Sequence, residues 1–303
     1  MAGYCLMTND VESLSINGQS FDEIGMKVWK EALPALLALY EKYNVKATFF
    51  FVAEFAKQYP EVVKMIQPYG HEVACHGLNH EQSNAFDVMP LEKQIQHLGE
   101  AKKILEDLAG ESVVSFRAPA LRVNQDTPIA LKETGFKIDS SIAPQRMDIF
   151  MSLGSKNKMQ WLKAPRTCYE TAQNNLARRG NSGLIEVPVS SFGMPYIGTL
   201  MRISSFMNNM VRYFIYLETK NKTKAVNFLF HPSEMVEENE EQMATRKRTK
   251  NPILHLFSDV LRTKLKQRNL GEKAGILLEK ELFFWQKHQF GFQTMKDFVN
   301  QNI

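Results

Sequence analysis

The sequence GHEVACHGLNH occupies residues 70–80 and carries a helix stop, a strand pattern and two histidines. Gly70 is typical of a helix end, and residues 72–75 have the short apolar pattern of a buried strand. His76 is therefore expected at the carboxyl end of a strand. His80 follows four positions later, so two imidazoles from one helix or tight loop can reach a single metal ion.

Predicted strands and helices alternate on both sides of this stretch. Apolar or β-branched runs predict strands at residues 4–8, 47–52, 113–116, 184–189 and 225–230. Apolar residues at helical spacing predict helices at residues 28–43, 60–66, 91–108 and 127–134. Strands joined by helices indicate βα units around a parallel sheet. Because His76, Arg117 and His231 each follow a strand, they are expected at the end of a barrel where active sites lie.

Composition limits the function classes. The chain has 303 residues, which fits one large or two small domains, and 44% of them are hydrophobic, enough for a sizeable core. The net charge of +4 is small for this length and does not favour a nucleic-acid partner. The three cysteines are scattered and predict no disulfide framework, which favours a reducing compartment.

The N-terminal residues have no basic region before the apolar run and reach Asp10 almost at once, unlike a secretory signal. No apolar run approaches the ~18 residues that a membrane span needs. We therefore expect a cytoplasmic protein, for which the inner face of the membrane is an accessible site of action.

The residue types fit metal-assisted amide hydrolysis. This reaction needs an activated water, a polarised carbonyl and a proton for the leaving amine, and a metal ion held by two histidines and a carboxylate supplies the first two. In an extended segment Asp10 and Glu12 point to the same side, so both carboxylates can face one site. Capping of the first helix or turn is the alternative role for this pair.

Two later residues can complete such a site. Arg117 is always charged and can hold a carboxylate with two hydrogen bonds, and Pro119 stiffens its loop. His231 follows an aromatic strand, so its pKa is set by the balance between burial and nearby carboxylates. A buried histidine with a single hydrogen bond is the alternative for His231. The remaining histidines are expected to be structural or on the surface, namely His71, His97, His255 and His288.

Two stretches interrupt the alternation. Residues 192–217 are rich in Met, Phe, Tyr and Ile and include Arg202 and Arg212. This composition is compatible with a lid or core-packing insertion, or with contact to a membrane surface carrying anionic head groups. Residues 237–250 pass from an acidic to a basic run, which predicts a solvated surface loop. Residues 276–287 predict a helix, and a last short helix follows residues 290–292.

The ordered motifs resemble those of the polysaccharide deacetylases, the NodB-homology group or carbohydrate esterase family 4, over about residues 4–232. The matching motifs are Asp10/Glu12, His76-x-x-x-His80, Arg117-x-Pro119 and Leu229-x-His231. The later part is similar to a branch linked to bacterial exopolysaccharide loci. In that branch a strand like residues 185–189 is followed by an aromatic insertion and a segment like FHPSE at residues 230–234.

The resemblance implies a distorted (β/α)7 barrel and a divalent metal, most commonly zinc, with Co²⁺, Ni²⁺ or Mn²⁺ as alternatives. Its ligands would be Glu12, His76 and His80. We expect a catalytic domain over residues 1–235. A charged loop and C-terminal helices over residues 236–303 are expected to pack on the same domain.

The resemblance also assigns catalytic roles. Asp10 would be the catalytic base, oriented by Arg117, and His231 would be the general acid. Asp139 matches a less diagnostic motif and is expected to act electrostatically on the His231 side. The substrate-binding residues would be Leu229, which lines the pocket for the acetyl methyl group, and Pro119.

This sequence departs from the family pattern at two places. Family members commonly have adjacent aspartates, the second of which binds the metal, whereas here Val11 intervenes and Glu12 follows. Glu12 is longer by one methylene group, so metal affinity and identity are open. Ala120 stands where many members carry an aromatic residue that shapes the groove.

The leading hypothesis is a hydrolase that removes an N-acetyl or N-formyl group from an amino sugar of a bacterial glycan or its lipid-linked precursor. A cyclic amidase of the allantoinase or imidase kind is the first alternative, since some such relatives carry a similar Arg-Ala-Pro segment. A non-catalytic carbohydrate-binding protein is the second alternative. Activity on N-acetylhexosamine oligomers, on allantoin or on neither would distinguish the three.

Overall fold

The computed structural model describes residues 3–15, 19–145, 161–220, 224–239, 241–242 and 260–303. Its strands in chain order are β1 Gly3–Val11, β2 Ala47–Phe51, β3 Glu72–Cys75, β4 Ser115–Phe116, β5 Ile138–Asp139, β6 Tyr169–Ala172, β7 Asn175–Arg179, β8 Ile185–Glu186, β9 Ser191–Phe192, β10 Met194–Pro195, β11 Ala225–Phe230 and β12 Phe290–Phe292.

Parallel strands form the centre of the molecule. Within the described residues, seven of them run parallel in the order β11-β1-β2-β3-β4-β5-β8. The antiparallel strands β6 and β7 extend the sheet beyond β8, and β12 pairs with the start of β1. β2 is buried at every position, as expected for a strand covered on both faces.

Ser190 lies just beyond β8 and connects it to β11. Its backbone N–H donates to the carbonyl of Asn227 at 2.9 Å, and the Asn227 N–H donates to Ser190 Oγ at 2.9 Å. These bonds bring together the two ends of the parallel row, which confirms the predicted distorted (β/α)7 barrel. The carboxyl ends of the strands meet at one rim, where Asp10, His76 and His231 are found.

Helices surround the sheet. In chain order they are α1 Asp22–Lys27, α2 Leu33–Lys42, α3 Ala53–Gln58, α4 Glu61–Lys64, α5 Leu91–Ala109, α6 Thr127–Glu133, α7 Gly198–Ile203, α8 Ser205–Thr219, α9 Arg262–Lys266, α10 Glu272–Lys287 and α11 Met295–Asn302. A π-helical turn, Val28–Ala32, joins α1 to α2, and short 3-10 turns lie at Gln67–Tyr69, Gln82–Asn84, Pro119–Leu121 and Pro232–Met235.

α5 shows why these segments fold as predicted. Its buried side chains include Gln94, Leu98, Ala101 and Leu105, which recur at helical spacing on one face. Gly110 follows with φ of 68° and closes the last turn through its N–H to the carbonyl of Glu106. Glycine adopts this left-handed conformation without a steric penalty, so the helix ends here.

Proline shortens two predicted elements. The strand predicted at residues 184–189 is reduced to β8, because Pro188 has no N–H to continue the ladder. The helix predicted at residues 60–66 ends at Lys64 and is followed by a 3-10 turn around Pro68. The short strands β6, β7, β9, β10 and β12 were not predicted, since two to five residues are too few to show a period.

The C-terminal residues pack on the barrel. Trp285 of α10 is fully buried, and its indole N–H donates to the Tyr196 hydroxyl at 3.0 Å. The N–H of Met295, at the start of α11, donates to Thr48 Oγ1 of β2 at 2.8 Å. Much of the predicted surface loop at residues 237–250 lies outside the described residues, as does His255. No helix in the described parts of the chain has the length and hydropathy of a transmembrane span.

Candidate active site

Three side chains form a candidate metal centre at the barrel rim. Glu12 follows β1, His76 follows β3, and His80 lies in the loop beyond. One ligand atom from each lies within 4.8 Å of the other two. Among the described residues this is the one set of three histidine, cysteine or carboxylate groups with such spacing.

The contact between Glu12 and His80 supports metal binding. Glu12 Oε2 and His80 Nε2 are buried atoms that lie 2.6 Å apart, and neither has a hydrogen-bond partner beyond this contact. Two buried ligand atoms that converge with no other partner suit a bound cation, because buried polar atoms usually have partners. Two histidines and a carboxylate also match the ligand types of catalytic zinc sites. The longer glutamate side chain therefore fits the third ligand position.

His76 is fixed in the form that binds a metal. It is 1% exposed, and its Nδ1 lies 2.8 Å from the carbonyl oxygen of Arg117. A carbonyl oxygen only accepts, so Nδ1 carries the proton and the Nε2 lone pair faces Glu12 at 3.8 Å. Burial lowers the pKa of His76 and keeps the ring neutral, as metal binding requires.

His97 shapes the loop between the two histidine ligands. Its Nε2 accepts the backbone N–H of Leu78 at 2.9 Å, and burial lowers its pKa to about 4, so the ring stays a neutral acceptor. Gly77 in the same loop has φ of 77°, and a Cβ there would lie 3.2 Å from the ring of Pro119. Glycine at this position lets the loop pack closely on the segment that follows β4.

Asp10 lies beside the candidate metal centre. Its Oδ1 accepts from Arg117 Nη1 at 2.8 Å, while its Oδ2 lies 3.7 Å from His76 Nε2 and 3.8 Å from His231 Nε2. Burial acts to raise the pKa of Asp10, but Arg117 and the two histidines outweigh it and lower the pKa. Asp10 is therefore an ionised carboxylate with one oxygen directed at the pocket.

Arg117 is held on all sides beneath Asp10. Its Nη2 donates to Thr8 Oγ1 at 3.0 Å and to Ser140 Oγ at 2.8 Å, and its Nε donates to the Ser140 carbonyl at 3.0 Å. Asn227 Nδ2 donates to Ser140 Oγ at 3.0 Å and Asn227 Oδ1 accepts from Thr8 at 2.9 Å. The guanidinium also lies 4.3 Å from the ring centroid of Phe50. This network fixes the carboxylate of Asp10 in one orientation.

His231 lies next to Asp10, with its Nε2 3.8 Å from Asp10 Oδ2. Its side chain is 27% exposed, and its Nδ1 lies 3.2 Å from Glu234 Oε1. Burial acts to lower the pKa of His231, but the contact with Glu234 and the carboxylates of Glu12 and Asp10 raise it to about 9. The imidazole is therefore protonated near neutral pH. A bound cation would lower this pKa, because it adds positive charge nearby.

The hydrogen bonds of Asp139 are made with residues other than His231. Its Oδ1 accepts from Ser141 Oγ at 2.6 Å, and burial raises its pKa. In the parallel pairing of β5 and β8 its partner is Glu186, whose pKa burial and the Asp139 carboxylate raise well above the usual value. The carboxylate that contacts His231 is Glu234, which residue patterns did not single out as a site residue.

The predicted substrate-binding residues lie close to the carboxyl ends of β11 and β4. Leu229 is buried in β11 and forms a parallel bridge with Ile197, which precedes α7. Pro119 begins a 3-10 turn in which Ala120 and Leu121 have φ of 51° and 54°. Positive φ is rare for residues other than glycine, and such strain concentrates at functional sites. Position 120 therefore carries an unusual backbone conformation at the rim.

The family model and the curated relative that match this chain are both described as deacetylases. A family model for polysaccharide deacetylase matches residues 17–138, which include His76, His80 and Arg117. A peptidoglycan deacetylase from Helicobacter pylori is 31% identical over 118 residues, and the match covers 39% of this chain and 39% of that protein. The chain thus spans about two fifths of the length of this curated relative.

Solved structures share the fold over nearly the whole chain. A crystal structure of a probable polysaccharide deacetylase from Pseudomonas aeruginosa PAO1 has a TM-score of 0.63 and 16% identity, covering 99% of this chain and 90% of that one. An allantoinase structure also has a TM-score of 0.63, with 14% identity and coverage of 99% and 89%. The family model thus matches about two fifths of this chain, and the two solved structures share its barrel fold.

Proposed function

We propose that this protein is a metal-dependent hydrolase that removes an N-acetyl or N-formyl group from an amino sugar of a bacterial glycan or its lipid-linked precursor. The observation that carries this proposal is that Asp10 and His231 lie beside three converging ligand atoms, from Glu12, His76 and His80. The name of the Helicobacter pylori relative, a peptidoglycan deacetylase, supports an amino-sugar substrate.

The charges of Asp10 and His231 support the roles of base and acid. When bound, a divalent cation supplies Lewis-acid polarisation of the amide carbonyl and makes water easier to deprotonate. Asp10 is ionised and accepts the proton of the attacking water through Oδ2, while Arg117 holds Oδ1. His231 is protonated and donates its Nε2 proton to the leaving amine. Environments that push the two pKa values apart support these base and acid roles.

Acetate release tests this function. Purified protein loaded with Zn²⁺, Co²⁺, Ni²⁺ or Mn²⁺ is incubated with N-acetylglucosamine oligomers, peptidoglycan fragments, N-formyl analogues and allantoin. We expect acetate or formate and free amine in equal amounts from an amino sugar, loss of activity with a chelator, and no product from allantoin. Ring opening of allantoin without acyl release from any sugar would instead identify a cyclic amidase.

We further propose that helix α8 rests on a lipid surface, which would bring the pocket to a lipid-linked sugar. Its outward side chains are Phe206, Met207, Met210, Tyr213, Phe214 and Leu217, which are 38–74% exposed, and Phe192 stacks on Phe214. These six positions follow helical spacing, so one whole face of α8 is apolar. Exposed apolar faces of this kind are characteristic of interaction sites.

The charges around this face favour lipid. The one carboxylate between residues 192 and 220 is Glu218, which pairs with Arg166 at 2.6 Å. Lys220 follows the helix and is exposed. No unpaired carboxylate of this segment therefore opposes anionic head groups, and a lysine lies beside the apolar face to attract them.

Vesicle binding tests the lipid contact. Each buried large side chain contributes about 1.5–3 kcal/mol, so the double variant Phe206→Ser/Met210→Ser is expected to bind phosphatidylglycerol vesicles at least about tenfold more weakly than the wild type. Phe283→Ser, at an exposed phenylalanine of α10, is the matched control and keeps binding. Sedimentation of a wild-type dimer that the double variant converts to a monomer, without vesicle binding, would reject lipid in favour of self-association.

A further inference from the structure

A buried chain of contacts leads away from His231. Glu234 is 1% exposed and uses both carboxylate oxygens: Oε1 lies 3.2 Å from His231 Nδ1, and Oε2 accepts from Arg202 Nε at 2.5 Å. Arg202 is fully buried. A buried carboxylate between a guanidinium and an imidazole is held in one place, because both of its oxygens are occupied.

Arg202 is anchored by residues from a distant part of the sequence. Its Nη1 donates to the carbonyls of Lys266 at 2.6 Å and Arg268 at 2.8 Å, and its own carbonyl accepts from Asn269 Nδ2 at 2.7 Å. The Gly271 N–H donates to the Glu234 carbonyl at 3.0 Å. Residues 266–271 therefore fix the two residues that stand behind His231.

Space around the Glu234 carboxylate is also restricted. Gly198 begins α7, and a Cβ at that position would lie 2.6 Å from Glu234 Oε2 and 2.9 Å from Oε1. The absence of a side chain at residue 198 allows the carboxylate to reach between Arg202 and His231. α7, the turn after β11 and the C-terminal segment thus converge on one carboxylate.

We propose that Glu234, held by Arg202 and residues 266–271, is the positioning residue that orients the His231 ring for acid catalysis. It accepts a hydrogen bond from Nδ1–H, so Nε2 is the nitrogen that faces Asp10 and the leaving group. When His231 gives its Nε2 proton to the leaving amine, the ring becomes neutral, Nδ1 keeps its proton, and Glu234 stays ionised. This role rests on the proposed function and gives Glu234 the place that the resemblance assigned to Asp139.

Leaving-group dependence tests this role. Glu234→Gln keeps the shape of the side chain but can present an amide N–H to Nδ1, which disturbs the ring orientation. We expect kcat for amide hydrolysis to fall about 10–100-fold, with KM and zinc content unchanged. With 4-nitrophenyl acetate, whose leaving group needs no proton, the loss is expected to stay below about threefold. A merely structural defect would lower both reactions equally, and that outcome would overturn the proposal.

Matched variants separate the remaining outcomes. Glu72→Gln makes the same change at a buried carboxylate at the amino end of β3 and is expected to keep wild-type rates. Arg202→Lys tests the same role if Glu234→Gln does not fold, with a smaller loss in the same direction. A wild-type protein inactive on every amino-sugar substrate would overturn the proposed function and this role together. An active wild type with an equally active Glu234→Gln would overturn this role alone.

Discussion

Replacing His76 with alanine is expected to abolish metal binding and amide hydrolysis together. His76 is one of the three proposed ligands, and its Nε2 is directed at the site by the hydrogen bond from Nδ1 to the Arg117 carbonyl. Loss of an outer-shell partner alone typically costs 10–100-fold in metal affinity or activity, so loss of the ligand itself is expected to cost more than about 100-fold. Metal content after dialysis and acetate release from the same preparations measure both effects.

His288→Ala is the matched control for this experiment. His288 directly follows α10, where its Nδ1 contacts the carbonyl of Phe284 at 2.8 Å, and it is not one of the three proposed ligands. We expect this variant to bind zinc and to hydrolyse substrate as the wild type does. A His76→Ala protein that retains one equivalent of zinc at wild-type affinity would show that the metal centre lies elsewhere.

Asp10→Asn is expected to lower kcat by about 10²–10⁴-fold, the usual contribution of a general base, while zinc binding persists. Asn keeps an oxygen that can accept from Arg117, which places its amide nitrogen where Oδ2 faces His76 and His231. An amide nitrogen cannot accept the proton of water. The expected result is therefore a folded, metal-loaded and nearly inactive protein, measured by acetate release and metal content.

Asp87→Asn is the control with the same chemistry. Asp87 also pairs with an arginine, Arg122, at 2.8 Å, but it lies in the turn before α5 and not at the metal centre. Normal activity is expected there. If Asp10→Asn kept more than a tenth of wild-type kcat, the base would have to be sought in another group, and Glu12 would be the first to examine.

The fold was predictable because its strands carry a strong local signal. Runs such as Ala47–Phe51 are rich in aromatic and β-branched residues, and the helices between them end at glycines such as Gly110. The hairpin of β6 and β7 gave no such signal, since β7 ends in two exposed arginines. Pairing of this kind depends on partners distant in sequence, which a local pattern cannot specify.

The site was predictable where each residue ends a strand. Asp10, Arg117 and His231 share this position, and the structure brings them to one rim. Glu234 carried a weak signal, three residues after His231. Arg202 carried none, because only the folded chain brings an arginine of the aromatic stretch to that carboxylate. An ion pair between two distant segments leaves no repeating pattern in the sequence, so local patterns cannot predict it.

The polar residues beneath Asp10 have a consequence for evolution. Thr8, Arg117, Ser140 and Asn227 come from four separate parts of the barrel and satisfy one another's donors and acceptors in a closed circuit. Changes at contacting sites of one network are non-additive by about 0.5–3 kcal/mol. A single replacement there leaves buried groups unsatisfied, whereas a compensated pair need not. In proteins descended from this one, we therefore expect substitutions to accumulate in the rim loops. The four network residues are expected either to stay unchanged or to be replaced together.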